Sequence, residues 1–145
     1  MNFGAWLCIC LFILLSACAG GAERSLVDHL SRYGEVDIAL DVFPYNGTTT
    51  TCEALWMGVP VVTLAGSIHV SRVSASILNN VGLADLVADT PEKYLEIAQR
   101  LAVDVEKRRA LRAGMRARML SSPLLDAPGF ARDLEAAYRE MLARA

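Results

Sequence analysis

From about residue 23 the chain alternates short apolar runs with amphipathic stretches, a rhythm that predicts strands alternating with helices. Ile38, Leu40, Val42 and Phe43 form a run of strand length, closed by the turn residues Pro44, Asn46 and Gly47. Thr48 to Thr51 follow, and from about Thr50 the residues Cys52 to Met57 favour a helix. Gly58 suits the left-handed position just past its end and Pro60 cannot continue it, so Val59 to Leu64 begins a second strand. After a Ser/Gly-rich turn at Gly66 to His69, Val70, Val73, Ile77, Leu78 and Val81 recur at steps of three and four, up to a stop at Gly82. Leu83 to Ala88 reads as a third strand.

Helices occupy the flanks of this pattern. Ser25 to Tyr33 predicts a short amphipathic helix, with Leu26, Val27 and Leu30 on its apolar side. Thr90 as N-cap and Pro91 at the first helical position start another, whose face runs through Tyr94, Ile97 and Leu101 to about Val105. A basic segment from Lys107 to Arg118 carries Leu111, Met115 and Met119 underneath, and reads as a solvated helix face. After Ser121–Ser122–Pro123, a last helix sets Phe130, Leu134, Tyr138 and Leu142 at steps of four. The order implies a three-layer α/β arrangement, a Rossmann-like parallel sheet followed by C-terminal helices.

Residues 1–22 stand apart as an almost unbroken apolar leader. Leu15–Ser16–Ala17–Cys18 resembles a lipobox, which would make Cys18 a lipidation site. A cleaved secretory signal, a membrane helix through residues 3–22 and a misplaced start stay open beside it. The domain division expected is therefore the leader, then a single domain over residues 23–145.

Composition narrows the function classes. Net charge is −2 on 14 basic and 16 acidic residues, and the basic segment holds no aromatic side chain, which disfavours nucleic acid as a partner. The four cysteines include no CxxC pair and no histidine stands at zinc-finger spacing, so no metal site is expected. Neither a P-loop nor a G-x-G-x-x-G fingerprint is present. No Ser–His–acid or Cys–His relay is recognisable.

In parallel α/β sheets, ligands sit outside the carboxyl ends of the strands. Two such ends, Tyr45 to Thr51 and Ala65 to Arg72, are rich in Gly, Ser and Thr. The first would put backbone N–H groups and hydroxyls at a helix start, an arrangement suited to a phosphate. With no lysine there, holding a diphosphate fits better than transferring its terminal group. Glu53 has two readings: it completes a Thr50-x-x-Glu53 capping box, or it accepts hydrogen bonds from ribose hydroxyls. His69 opens a helix and could donate to a phosphate or sugar, or merely cap. His29 reads as an unremarkable surface histidine, and Trp56 and Cys52 as core packing.

Three segments together carry a family resemblance: DIALDVFPYNGTTTTCEALWMGVPVVTLAG, HVSRVSASILNNVGLADLVADTPEKYLEIAQRLAVD and LRAGMRARMLSSPLLDAPGFARDLEAAYREM. From about Leu30 to Met141 the chain resembles the C-terminal end of the O-linked N-acetylglucosamine transferase family, the SPINDLY-like glycosyltransferases of GT-B fold. The resemblance implies a Rossmann-like lobe that binds a UDP-sugar donor, for transfer of a sugar to protein hydroxyls, with no cofactor or metal. It makes the turn Asn46, Gly47, Thr48, Thr49 and Thr50 the diphosphate site. Thr49 and Thr50 supply its hydroxyls, and Glu53 occupies the acidic ribose-binding position. His69 and Arg72 fall on the donor side. Catalytic residues are not assigned, because the family places a catalytic histidine and a phosphate-binding lysine upstream of the matching segments. The expected partners are a UDP-sugar, a protein acceptor, and a separate N-terminal catalytic lobe or TPR region. The family's donor implies a cytoplasmic location, and the leader implies a membrane or export.

Overall fold

The computed structural model describes residues 25–144. The expected apolar leader, and with it the lipobox reading of Cys18, lies outside them. The described elements are α1 (Leu26–Ser31), β1 (Ala39–Leu40), α2 (Thr49–Trp56), β2 (Val61–Leu64), α3 (Val73–Asn80), β3 (Val87–Ala88), α4 (Pro91–Val103), α5 (Val105–Leu120) and α6 (Ala127–Ala143), joined in places by short 3-10 turns. The strands form one parallel sheet in the order β1-β2-β3, with Ala39 paired to Val61, Leu40 to Val62, Thr63 to Val87 and Leu64 to Ala88. The α/β class and the parallel sheet expected from the alternation are present. Among the described residues no helix is long and apolar enough to cross a membrane.

The strands are shorter than their apolar runs. Val42 and Phe43, read as strand, lie outside β1 and are half-exposed. The chain leaves the sheet at Asp41, whose backbone N–H still donates to the Val62 carbonyl at 2.9 Å while its carboxylate turns to the loop beyond. Leu83 to Ala88 divides into a 3-10 turn at Ala84–Leu86 and the two-residue β3. Likewise the helix expected from Val70 begins as a 3-10 turn at His69–Ser71 and becomes α-helical only from Val73.

Two helix ends follow directly from glycine. Past α2, Gly58 takes φ +83° and donates to the Leu55 carbonyl, while Val59 N–H reaches back to Ala54. Past α3, Gly82 (φ +74°) donates to Asn79 and Leu83 to Leu78 in the same pattern. Both are Schellman stops, which satisfy carbonyls the helix leaves open. Thr90 caps α4 through its hydroxyl, which accepts from Lys93 N–H at 3.2 Å, and Asp104 caps α5 through its carboxylate, which accepts from Lys107 N–H at 2.9 Å.

The core lies between the sheet and α2, α3, α4 and α5. Leu55, Val62, Leu78, Ala88 and Met115 are fully inaccessible there, with Leu83, Leu86 and Leu101 beside them. Leu111, Met115 and Met119 form the expected buried side of α5. Its charges do more than face solvent. Arg108 donates to the Leu101 carbonyl at the end of α4, Arg116 to Trp56 at the end of α2, and Arg118 to Gly82 past α3. Arg112 donates to the Val36 carbonyl ahead of β1. Cations placed at helix carboxyl ends offset the exposed carbonyls and the negative end of the dipole. The Arg116 guanidinium also stacks 4.8 Å from the Trp56 ring centre.

The terminal helices depart from their amphipathic reading. Leu26 and Val27 of α1 are exposed, and α6 buries none of its residues, leaving Phe130, Leu134, Tyr138 and Leu142 open. The apolar stripes that periodicity marks therefore pack on no core among the described residues.

Candidate functional site

The loops after β1 and β2 meet at the carboxyl end of the sheet, because parallel strands deliver them to the same edge. Asn46 N–H donates to the Val70 carbonyl at 2.9 Å, joining the two loops. Around Gly47 the backbone is held from both sides. Its N–H donates to Asp41 Oδ1 at 2.9 Å, and its carbonyl accepts from Ser74 Oγ at 2.8 Å. Since the Ser74 proton is committed to that carbonyl, the Thr51 hydroxyl is the donor in the 2.9 Å Thr51–Ser74 contact. The other Asp41 oxygen accepts from Thr63 Oγ1 on β2 at 2.7 Å, and Tyr94 of α4 donates to the Asp41 carbonyl. A side chain at Gly47 would meet Thr50 Oγ1 at 2.5 Å and Thr51 Oγ1 at 2.8 Å. The turn therefore needs a glycine there for space.

This scaffold presents the start of α2. Thr48 is its N-cap, yet the Thr48 side chain makes no capping hydrogen bond. The first helical bond is Cys52 N–H to the Thr48 carbonyl, so the N–H groups of the preceding turn have no intrahelical partner. Thr48, Thr49 and Thr50 are exposed, whereas Thr51 is buried and tied to Ser74. The helix start thus offers free donors and hydroxyls outward, together with the positive end of its dipole. Asn46 is buried beneath the turn. Its side-chain amide donates to the Val42 carbonyl, and its Oδ1 has no partner.

Glu53 does not close a capping box. Thr50 stands inside α2 rather than at its N-cap, which puts Glu53 too far along the helix to reach back. Instead Glu53 Oε2 accepts from His29 Nε2 at 3.1 Å and from the Tyr33 hydroxyl at 3.3 Å. A carboxylate can only accept, so His29 carries its proton on Nε2 in this contact. The His29 and Tyr33 rings meet edge to face, 5.8 Å between centres. Burial, then the Glu53 charge and the hydrogen bond to it, raise the Tyr33 phenol to about 12. Burial and the Glu53 charge also push the Cys52 thiol up. At steps of three and four, Thr49, Thr50 and Glu53 share one helix face, opposite the buried Thr51, Ala54 and Leu55.

The remaining expected positions are less integrated. His69 is exposed at the start of its 3-10 turn, and Arg72 donates to the Gly66 carbonyl at 3.0 Å, closing the second loop. Among the described residues no three His, Cys, Asp or Glu side chains converge as a metal site would require. The expectation of an unremarkable surface histidine at His29 gives way to its contact with Glu53, and the sequence singled out none of Tyr33, Asp41 and Ser74. Only the spacing of His29 and Tyr33, one turn apart on a short helix, could have drawn attention to that pair.

Comparison with known proteins decides the family. The model of Glycosyl transferase family 41 matches residues 13–134. The chain belongs to that family. The match reaches back to Ile13, inside the apolar run read as a leader and well ahead of Leu30. A Hordeum vulgare "Probable UDP-N-acetylglucosamine--peptide N-acetylglucosaminyltransferase SPINDLY" is 52% identical over 114 residues, which are 79% of this chain and 12% of that protein. A Caenorhabditis elegans "UDP-N-acetylglucosamine--peptide N-acetylglucosaminyltransferase" is 35% identical over 117 residues, 81% of this chain and 10% of that protein. Among solved structures, a mutant of the Thermobaculum terrenum O-GlcNAc transferase superposes with a TM-score of 0.74 at 43% identity, covering 81% of this chain and 23% of that one. The family 41 chain is thus an O-GlcNAc-transferase-like glycosyltransferase region with the α/β fold of a GT-B enzyme. It spans about an eighth of the length of the plant relatives it matches.

Proposed function

We propose that residues 23–145 form the donor-binding part of a glycosyltransferase that moves N-acetylglucosamine, or a similar sugar, from a UDP donor to a protein hydroxyl. The observation that carries this is the uncapped start of α2, where exposed Thr48 to Thr50 adjoin Glu53 on one face and Asp41 and Ser74 hold the Gly47 turn rigid beneath. The diphosphate would lie against the free N–H groups and the Thr49 and Thr50 hydroxyls, with Asn46 and Gly47 shaping the turn and Glu53 accepting from the ribose. His69 and Arg72, on the neighbouring loop, would face the donor. When the glycosidic bond to the donor breaks, negative charge grows on the departing diphosphate. Preoriented donors and a helix dipole stabilise that charge without reorganising at the moment of reaction. No general base or acceptor site is assigned among the described residues.

Calorimetric titration with UDP tests the reading. Binding is expected to saturate by millimolar UDP, weakened about tenfold by Thr50→Ala and again by Glu53→Ala, as befits hydrogen bonds to charged groups. Absence of heat, or indifference to both substitutions, would refute it. The exposed apolar stripe of α6 supports a second reading, a partner-binding module without catalysis, which a negative titration would leave standing.

A further inference from the structure

Glu53 is fixed from outside its own helix. His29 belongs to α1 and Tyr33 to the 3-10 turn after it, 24 and 20 residues upstream of Glu53, yet both converge on the same oxygen, Oε2. Among the described residues Oε1 has no hydrogen-bond partner, and the side chain keeps 25% of its exposure. A glutamate on a helix surface ordinarily samples several rotamers, and ordering it has an entropic cost. Here that cost is met by folding. The edge-to-face contact of the two rings fixes the donors relative to each other, so that the carboxylate has one oxygen engaged and one free.

We propose that His29 and Tyr33 are positioning residues, which lock Glu53 so that its free Oε1 is preset to accept from the vicinal hydroxyls of a nucleoside diphosphate's ribose. The inference rests on the ribose reading of Glu53 and extends it to a pair of residues on a separate segment. Neither residue needs to touch the diphosphate. Their effect should therefore be confined to the part of donor affinity that comes from the ribose hydroxyls. Preorganisation of this kind raises affinity by reducing what must be ordered on binding. It also gives the α1 segment, which buries no residue of its own, a reason to be held against α2.

The test compares three probes on the full chain: UDP, 2′,3′-dideoxy-UDP and inorganic pyrophosphate. The unmodified protein should prefer UDP over the dideoxy compound by about tenfold, equal to about 1.4 kcal/mol. Glu53→Ala should abolish that preference. His29→Ala and Tyr33→Phe should each reduce it to about threefold or less, His29→Gln should largely restore it by supplying a donor near the Nε2 position, and pyrophosphate affinity should stay constant throughout. Should both ring variants keep the full preference while Glu53→Ala loses it, positioning is wrong and the ribose reading survives. Should Glu53→Ala keep the preference, or the unmodified protein show none, both fall. Equal loss of all three probes in both ring variants would mean that the pair only holds the fold together, and would also overturn the proposal.

Discussion

Replacing Asp41 offers the sharpest test of how the site is built. Its two oxygens join three parts of the molecule: the end of β1, the Gly47 turn and the Thr63 hydroxyl on β2. Asp41→Ala removes both acceptors. Thr63 is fully buried, so its hydroxyl is left without a partner, whereas the half-buried Gly47 N–H can recover water. Hydrogen bonds to charged groups contribute about 1.5–3 kcal/mol and an orphaned buried donor costs about 1–3 kcal/mol. With partial relaxation we expect a loss of about 3 kcal/mol, a large share of the roughly 5–15 kcal/mol typical of a domain. Asp41→Asn keeps an acceptor for Gly47 and can present its N–H to Thr63, whose oxygen also accepts, so the loss should be nearer 1 kcal/mol. Urea unfolding followed by circular dichroism measures both, provided the slope is unchanged. Pairing Asp41→Ala with Thr63→Val should recover about 1 kcal/mol, because the orphaned hydroxyl is gone. A loss below about 1 kcal/mol for Asp41→Ala, or strict additivity in the double variant, would refute the network as a source of rigidity.

Two further outcomes follow from single positions. Gly58→Ala should lower stability by about 2 kcal/mol, since φ is +83° and the added Cβ would sit 3.0 Å from the Arg112 carbonyl, whereas Gly34→Ala meets nothing within 4 Å and should be nearly neutral in the same thermal melts. Tyr33 should ionise at about 12, seen as a late step in the ultraviolet phenolate titration that Tyr33→Phe removes. The sign is fixed by linkage: the folded phenol holds its proton above the ordinary value of about 10, so its stabilising contribution is complete below that pH and is lost as pH rises toward 12.

Much of this architecture was legible along the chain because it depends on short-range rules. Apolar runs alternating with helical periodicity specified a parallel α/β sheet. Gly58 and Gly82 ended helices where a left-handed residue was required, and Thr90–Pro91 started one. The threonine turn was also legible, since a helix start after a strand exposes donors whatever surrounds it. Segment resemblance then singled out the family, and the comparisons showed it.

What the tertiary structure alone decided concerns partners far apart in sequence. The Thr50-x-x-Glu53 spacing fits a capping box, but the N-cap is Thr48, two residues earlier, and Glu53 was taken instead by His29 and Tyr33. No local pattern announces such a contact, because its geometry depends on how α1 packs against α2. Asp41 and Ser74 looked like ordinary polar residues until the sheet brought them to opposite sides of Gly47. The arginines of α5 read as a solvated face, and Arg108, Arg116 and Arg118 also serve carbonyls at the ends of other elements. Amphipathicity in α6 marked a face but not what covers it. Local rules set where elements start and stop, because their energies come from neighbours along the chain. Which polar group meets which is settled only when distant segments share one surface.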